Sequence, residues 1–257
     1  MNNLNNALFH KKEIIRCFNK AASTYDANCD AQKEIGLKLI SLLTTYQNNI
    51  SSIIDLGCGS GCITEKLAEQ FIYQKFCAID ISDKLLIQAK KRLEKYHIKI
   101  SEDDFEYFFE KNNIFDLVFS NMALQWSANL KLVLSSIQKN MNKNGLLAFS
   151  IPLHGTYAEL AASSRNDFHT QESILNFLLE SEWTILHSET NHFSTSYNSW
   201  LNALKTIKAT GANYVFKKKS SSLSSKSYLY RLVKTKQAVK EKISLSYHIG
   251  YFIAGKK

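Results

Sequence analysis

The stretch Ile53-Ile54-Asp55-Leu56-Gly57-Cys58-Gly59-Ser60-Gly61 decides the fold. Two β-branched residues lead into an acid, three glycines follow at alternate positions, and a helical pattern starts near Cys62. That order predicts a buried strand, a tight turn and a helix start. Glycine serves where the backbone takes positive φ or approaches a ligand closely, and a helix start offers unpaired N–H groups. The turn is therefore read as a nucleotide-type binding loop. From Gly57 the spacing is G-x-G-x-G, with Cys62 where the dinucleotide fingerprint has its third glycine, and no G-K-[ST] follows. Both the dinucleotide fingerprint and the P-loop are thereby excluded. Asp55, two residues before the first glycine, would repel a pyrophosphate but suits a ligand that carries an ammonium group.

Composition sets the outer bounds. The chain has 257 residues, of which 45% are hydrophobic. This is enough for one full core, or for one domain with a sizeable insertion. No apolar run reaches the roughly 18 residues of a membrane-spanning helix. Met1 to Asn6 is polar, so no signal peptide is expected. The five cysteines, at 17, 29, 58, 62 and 77, include a C-x3-C pair but no second pair downstream. They read as small buried residues of a reducing, cytoplasmic protein, not as a zinc site. His10, His154, His169, His187, His192 and His248 show no ligand spacing, and no metal is expected. The net charge of +9 suggests an anionic partner, nucleic acid or an acidic protein, or simply a lysine-rich solvated surface. The densest basic run, Lys217-Lys218-Lys219, precedes a serine-rich stretch and reads as an exposed loop.

Outward from the glycine loop the chain alternates strand and helix. Residues 10–45 show two helical patterns, broken at Ser23-Thr24-Tyr25-Asp26. Such an arm either lies over the ligand pocket or packs on the sheet. Residues 52–56 form the first strand and 62–72 the helix after it. Phe76 to Ile79 is the second strand, ending at Asp80, 19 residues beyond Gly61. The two oxygens of an acid there suit the vicinal diol of a ribose. Ser82 caps the next helix. Ile98 to Ile100 is a third strand, followed by the acids Glu102, Asp103 and Asp104. Phe115 to Phe119 is a fourth, ending in Ser120-Asn121. A helix over 128–140 is closed by Asn144-Gly145, and Leu146 to Ile151 is a fifth strand. A helix over 170–180, a strand from Trp183 to Phe193, a mostly helical basic insertion over 196–240 and a last strand from Ile243 to Ala254 complete the pattern. Alternation of this kind gives a doubly wound α/β sheet. Ligands in such a sheet sit at the carboxyl ends of the strands, so Asp55, Asp80, Asp104 and Ser120-Asn121 are placed on one rim.

These residues carry a resemblance. Asp55, Gly57, Gly59 and Gly61 match the D/E-x-G-x-G-x-G loop of the class I methyltransferases that bind S-adenosylmethionine (AdoMet). Phe18-Asn19-Lys20-Ala21-Ala22-Ser23-Thr24-Tyr25 looks like the F-x-[KR]-A-A-x-x-Y segment of the malonyl-[acyl-carrier-protein] O-methyltransferases of biotin biosynthesis. The stretch from Phe115 to Trp126 is similar to that family's F-D-L-x-x-S-N-x-A-x-Q-W. Gly145 to Ser150, Gly155 with Glu159-Leu160, Ile207 to Ala212 and Leu245-Ser246-Tyr247-His248 also follow its pattern. The resemblance runs from about residue 12 to the end. It implies a Rossmann-like, seven-stranded sheet with its last strand antiparallel, N-terminal helices, and a helical insertion before that strand. The whole chain, 1–257, is then one domain, with an arm (1–50), an AdoMet-binding core (51–195), the substrate-side insertion (196–240) and the last strand (241–257). Cys58 and Ile81 flank the cofactor in this pattern, Asp104 accepts from the adenine amino group, and Phe105 lies beside the ring. Phe108-Phe109-Glu110-Lys111 departs from the compact turn common there, which touches only the adenine assignment.

The implied activity is methyl transfer from AdoMet to the free carboxylate of a malonyl thioester, on acyl carrier protein or coenzyme A. A carboxylate is already ionised at neutral pH, so no general base is required, in keeping with the lack of a Ser-His-Asp or Cys-His set. Lys208, Tyr25, Gln125 and Trp126 are the candidates for holding the carboxylate, with Arg165 behind them. Each has a plainer reading: Trp126 as packing, Tyr25 as a cover over the methionine end, Lys208 as a surface charge. The acidic carrier is expected to dock on the basic insertion, at Lys217, Lys218, Lys219 and Lys226, and the chain is expected to act as a monomer. Two other readings stay open, methylation of another small molecule or of RNA, and an AdoMet-binding partner protein without activity. Ser120-Asn121-Met122-Ala123 stands where amine-methylating enzymes carry N-P-P-[YF], which argues against a nucleobase substrate; a nucleic-acid partner and membrane attachment are not expected.

Overall fold

The computed structural model describes residues 2–46, 50–111, 114–216 and 243–256. The helices are α1 (Asn2–Tyr25), α2 (Asp30–Leu43), α3 (Cys62–Gln70), α4 (Asp83–Arg92), α5 (Leu130–Lys139), α6 (Gln171–Glu180) and α7 (Trp200–Ala209). The strands are β1 (Ser52–Leu56), β2 (Lys75–Asp80), β3 (Ile98–Glu102), β4 (Phe115–Asn121), β5 (Met141–Pro152), β6 (Thr184–Tyr197) and β7 (Ile243–Gly255). They form one sheet in the order β3-β2-β1-β4-β5-β7-β6. Strands β1 to β5 pair in parallel, while β7 runs antiparallel between β5 and β6. This is the doubly wound sheet that the alternation of strand and helix predicts, with the inverted last strand that the resemblance implies.

Strand period sends alternate residues to opposite faces. Ile54 and Leu56 of β1, Val118 of β4 and Leu147 and Phe149 of β5 join the layer under α5 and α6. Ile53, Leu117, Phe119, Leu146 and Ala148 join the layer under α2 and α3. Both faces are covered, which is why these strands read as continuous apolar runs. The strand order reverses between β1 and β4, so a crevice opens at their carboxyl ends.

Several boundaries move. Asn140 caps α5, and Asn144-Gly145 lies inside β5 instead of ending the helix. The β4–β5 register jumps between Phe115↔Met141 and Leu117↔Leu146, and Asn144 takes φ 65° in that irregularity. Strand β6 runs on to Tyr197, pairing Ser196 with Ser244 and Tyr197 with Ile243 on β7. Of the helical insertion, α7 stands as expected; Lys217, Lys218, Lys219 and Lys226 lie outside the described residues. Among the described residues, no helix is long and apolar enough to cross a membrane, and no group of three or more His, Cys, Asp or Glu could hold a metal ion.

The arm lies over the crevice. Asp26, just after α1, accepts from Arg92 Nη2 at 2.6 Å and from Ser60 Oγ at 2.5 Å. Asn19 donates to Asp83 at 2.7 Å and accepts from Ser82 Oγ at 2.6 Å. Lys11 pairs with Asp104 and Glu106. Helix α1 is thus pinned to α4 and to the loop after β3, with the glycine loop beneath its end.

Candidate active site

The glycine loop is built on β2. The N–H groups of Gly57 and Cys58 both donate to Ile79 O, at 2.9 and 3.0 Å. Gly57, Gly59 and Gly61 all take positive φ, a conformation that favours glycine over residues with a Cβ. Space sharpens the requirement. A Cβ on Gly57 would fall 2.3 Å from Ala123 Cβ, whereas one on Gly59 would meet nothing nearer than Tyr25 Oη at 3.7 Å. Gly57 is packed from behind, and Gly59 is bare toward the crevice.

Two acids face this loop. Asp55 is 2% exposed and accepts from Thr64 Oγ1 at 2.7 Å. Burial pushes its pKa up to about 7, against the pull of the Thr64 hydrogen bond. Asp80 accepts from Gly59 N and Ser82 N, both at 2.8 Å. Burial raises its pKa too, opposed by those backbone N–H groups. Ile81 links this acid to the Ser82 cap of α4.

Two cavities adjoin here. The first, about 360 Å3 and open to solvent, is lined by Tyr25, Cys29, Gln32, Lys33, Asp55, Gly57, Cys58, Ser60, Cys62, Ile63 and Asn121. Among the described residues, Lys33 is the one cation in that wall; its Nζ donates to Asp26 O at 2.8 Å and lies 3.4 Å from Asp30 Oδ1. The second, about 490 Å3, is lined by aromatic, hydroxyl and amide side chains, among them Phe18, Gln125, Trp126, Tyr157 and Tyr247. Tyr25 and Gln32 line both. Burial, and the nearby Cys29 and Asp80, raise the pKa of Tyr25, which keeps it a neutral phenol.

The remaining expected site residues divide. Asn121 lines the first cavity and also braces it, donating to Gln32 O at 2.9 Å and accepting from Ser150 Oγ at 2.7 Å. Ser120 is fully buried with its hydroxyl on Leu56 O, so it holds β4 to β1 and lines neither cavity. Asp104 is paired with Lys11, and Phe105 is buried in the core with Lys11 Nζ 5.3 Å from its ring centroid. Trp126 is buried and meets Phe18 edge-on at 5.7 Å. Gln125 donates to Met122 O at 2.6 Å, and its Oε1 is buried with no partner among the described residues.

Lys208 and Arg165 are brought to neither cavity. Helix α7 buries Trp200, Ala203 and Ile207, and Lys208 stands exposed on another side. Arg165 is half-buried in the loop after a short 3-10 turn. The residues missed in the sequence are Lys33, Gln32, Tyr157 and the Asp26–Arg92–Ser60 clamp. Tyr247 stood in a recognised segment but was given no role.

Comparison with known proteins agrees with this geometry. Residues 48–234 match the family described as "Methyltransferase domain". A "Malonyl-[acyl-carrier protein] O-methyltransferase 2" of Coxiella burnetii is 38% identical over 247 residues, covering 96% of each chain. A protein of the same activity name from Salmonella typhimurium is 27% identical over 251 residues, covering 95% of this chain and 96% of that one. Among solved structures, the YcgJ protein of Bacillus subtilis aligns with a TM-score of 0.62 at 11% identity, over 85% of this chain and 97% of that one. The N-methyltransferase NodS of Bradyrhizobium japonicum, solved with S-adenosyl-L-homocysteine, aligns at 0.53 and 15%, over 87% and 86%. These last two share the fold.

Proposed function

The chain belongs to the methyltransferase-domain family and, within it, to the malonyl-[acyl-carrier-protein] O-methyltransferases, and from that membership we infer that it transfers a methyl group from AdoMet to the free carboxylate of a malonyl thioester on acyl carrier protein. The product is the methyl ester from which a pimeloyl chain for biotin is built. One observation carries the reading at the site: Tyr25 and Gln32 form a wall common to two cavities, one charged and one, among the described residues, without a charged side chain. The charged cavity suits the donor and the uncharged one the acceptor.

The residues of the first cavity fit AdoMet. Gly59 leaves open space for close approach, Asp80 offers two carboxylate oxygens for a diol, Asp55 an anion for the ammonium group, and Lys33 a cation for the carboxylate. AdoMet brings a methyl group already activated on sulfur, so the protein needs neither a nucleophile nor a base. Its task is alignment, which can contribute roughly 7–11 kcal/mol, and exclusion of water while opposite charges cancel. The phenol of Tyr25, held neutral at the common wall, orients without adding charge. Gln125 Oε1 is an acceptor awaiting a donor, which an amide N–H of the carrier's pantetheine arm supplies. Introduction of the chain into a strain lacking this methylation is expected to restore growth without biotin; failure, with the protein expressed and folded, contradicts the assignment.

Two predictions concern the donor. Lys33→Ala is expected to weaken AdoMet binding about tenfold, the scale of one hydrogen bond to a charged group. Affinity for methylthioadenosine, which has no amino-acid tail, should not change. An equal loss for both ligands in calorimetry would move Lys33 out of this role.

The second follows from Asp55. Its folded pKa, about 7, lies above the ordinary 3.8, so the unliganded protein holds this proton where the unfolded chain has lost it. Its contribution to the stability of the unliganded fold therefore falls as pH rises from about 4 to about 7. An ammonium-bearing ligand needs the ionised form. AdoMet affinity should rise by about tenfold per pH unit up to about 7 and then level, with proton release on binding below that point. Calorimetry in buffers of different ionisation enthalpy reads both; a flat profile between pH 5 and 7 rules out the Asp55–ammonium contact.

A further inference from the structure

Helix α1 presents a stripe of cations. Lys12, Arg16 and Lys20 stand four residues apart, so they share one face, and all three are exposed. Ile14, Ala21 and Ala22, on the opposite side, are buried. The one acid in α1 is Glu13, which meets Arg16 at 3.4 Å in a solvent-exposed pair; such a pair is held only weakly. Helix α7 repeats the pattern. Lys205 and Lys208 are exposed, off the side that buries Trp200, Ala203 and Ile207, and α7 contains no acid. Among the described residues, Lys12, Lys20, Lys205 and Lys208 make no ion pair.

The two helices are fastened together beside the second cavity. Thr24 Oγ1, near the end of α1, donates to Ala209 O, at the end of α7, at 3.0 Å. Gly211 packs on Phe18 so closely that a Cβ there would lie 2.6 Å from Phe18 Cδ1. His10 is hydrogen-bonded to Tyr214. Phe18 of α1, with Thr210 and Ala212 just past α7, lines the cavity. The cations therefore sit on the outside of the same two elements whose inner residues form the cavity wall.

Apolar side chains stand among these charges. Phe9, 60% exposed, lies three residues before Lys12 on the same face of α1, and Leu201, 46% exposed, lies on α7. Aromatic and apolar contacts within a polar rim are the make-up of a protein interface. An acceptor carried on a protein must enter the cavity while the body of its carrier stays outside. The surface next to the cavity is where that body has to rest. Opposite charge across such a surface sets the rate of encounter more than the final affinity.

We propose that the outer faces of α1 and α7 dock an acidic carrier protein, with Lys12, Lys20, Lys205 and Lys208 steering it and Phe9 and Leu201 in apolar contact. This rests on the methyl-transfer reading given above. The test is stopped-flow association of fluorescently labelled malonyl-carrier protein with the full chain saturated with S-adenosyl-L-homocysteine. Lys20→Glu with Lys208→Glu is expected to lower the association rate about 10-fold at about 0.01 M salt, within the range of electrostatic steering. At about 1 M salt, where the Debye length is only about 3 Å, the rate should rejoin that of the wild type. Affinity for S-adenosyl-L-homocysteine and the melting temperature should not move. Lys139→Glu with Lys143→Glu changes the net charge equally. Both are exposed near the start of β5, whereas Pro152 at its other end lines the cavity, so this pair should leave the rate close to wild type. Lys12→Gln with Lys205→Gln should slow association to a lesser degree, and decides the matter if the reversed pair does not fold. An unchanged rate in the α1–α7 variants, or an equal fall in the Lys139–Lys143 pair, overturns the docking face while methylation of the carrier still stands. Total RNA whose binding is lost in the α1–α7 variants while the carrier's rate holds assigns the face to nucleic acid and overturns it too. Wild-type protein that binds S-adenosyl-L-homocysteine but no carrier at either salt overturns the acceptor reading along with it.

Discussion

Asp80→Ala is expected to weaken AdoMet binding by on the order of 1.5–3 kcal/mol, roughly 10- to 150-fold. The carboxylate ends β2 beside the glycine loop, where it accepts from Gly59 N and Ser82 N at 2.8 Å each. Each oxygen keeps a further lone pair, which suits the two hydroxyls of a ribose. Alanine removes both acceptors and leaves the Gly59 N–H without its partner, so the loop itself loosens. Asp80→Asn keeps the shape and one acceptor, and should fall between alanine and the wild type. Titration calorimetry with AdoMet reads the series; unchanged affinity in Asp80→Ala refutes the ribose role.

Gly57→Ala is expected to damage folding and binding together. Its Cβ would lie 2.3 Å from Ala123 Cβ, and the backbone holds φ at 77°. The left-handed conformation costs about 1–2 kcal/mol and overpacking a further 1–3 kcal/mol or so. The loop cannot shift alone, because Gly57 and Cys58 are both bonded to Ile79 O, one residue before Asp80. Denaturant unfolding should show a loss of about 2–5 kcal/mol, with AdoMet binding no longer detectable. Gly59→Ala makes the contrast: open space surrounds that site, so stability should drop far less while binding is still lost. Equal stability of Gly57→Ala and the wild type would contradict the packing described for the loop.

The fold was legible because its signals are local. A five-residue apolar strand, an alternating-glycine turn and a capped helix occupy adjacent positions, and an open parallel sheet brings the ends of β1, β2 and β4 to one rim whatever the loops do. Asp55 and Asp80 could therefore be placed from sequence. Asn144-Gly145 could not, because the same pair that closes a helix also fits a strand irregularity, and only the pairing with β4 decides. Lys33 carries no signal of its own; it is one polar residue of an amphipathic helix until α2 meets the glycine loop. Tyr157 depends on a left-handed backbone that a loop sequence with tyrosine does not suggest. Lys208 was misplaced for want of helix phase. Trp200, Ala203 and Ile207 mark the buried face of α7, and the next residue lies about 100° around the helix from it. The pattern was in the sequence and argues for exposure. Phe105 shows the reverse error, since an aromatic next to a ligand-side acid is read as a stacking partner when the core needs it.

The central claim is a methyl group placed on a carrier-borne carboxylate. It is tested most directly by incubating the full chain with methyl-labelled AdoMet and, separately, malonyl-carrier protein, malonyl-coenzyme A and total RNA. The structure and the family membership predict label in the malonyl thioester as a methyl ester, and none in RNA. Label confined to RNA, or label in no acceptor while AdoMet remains bound, would contradict it.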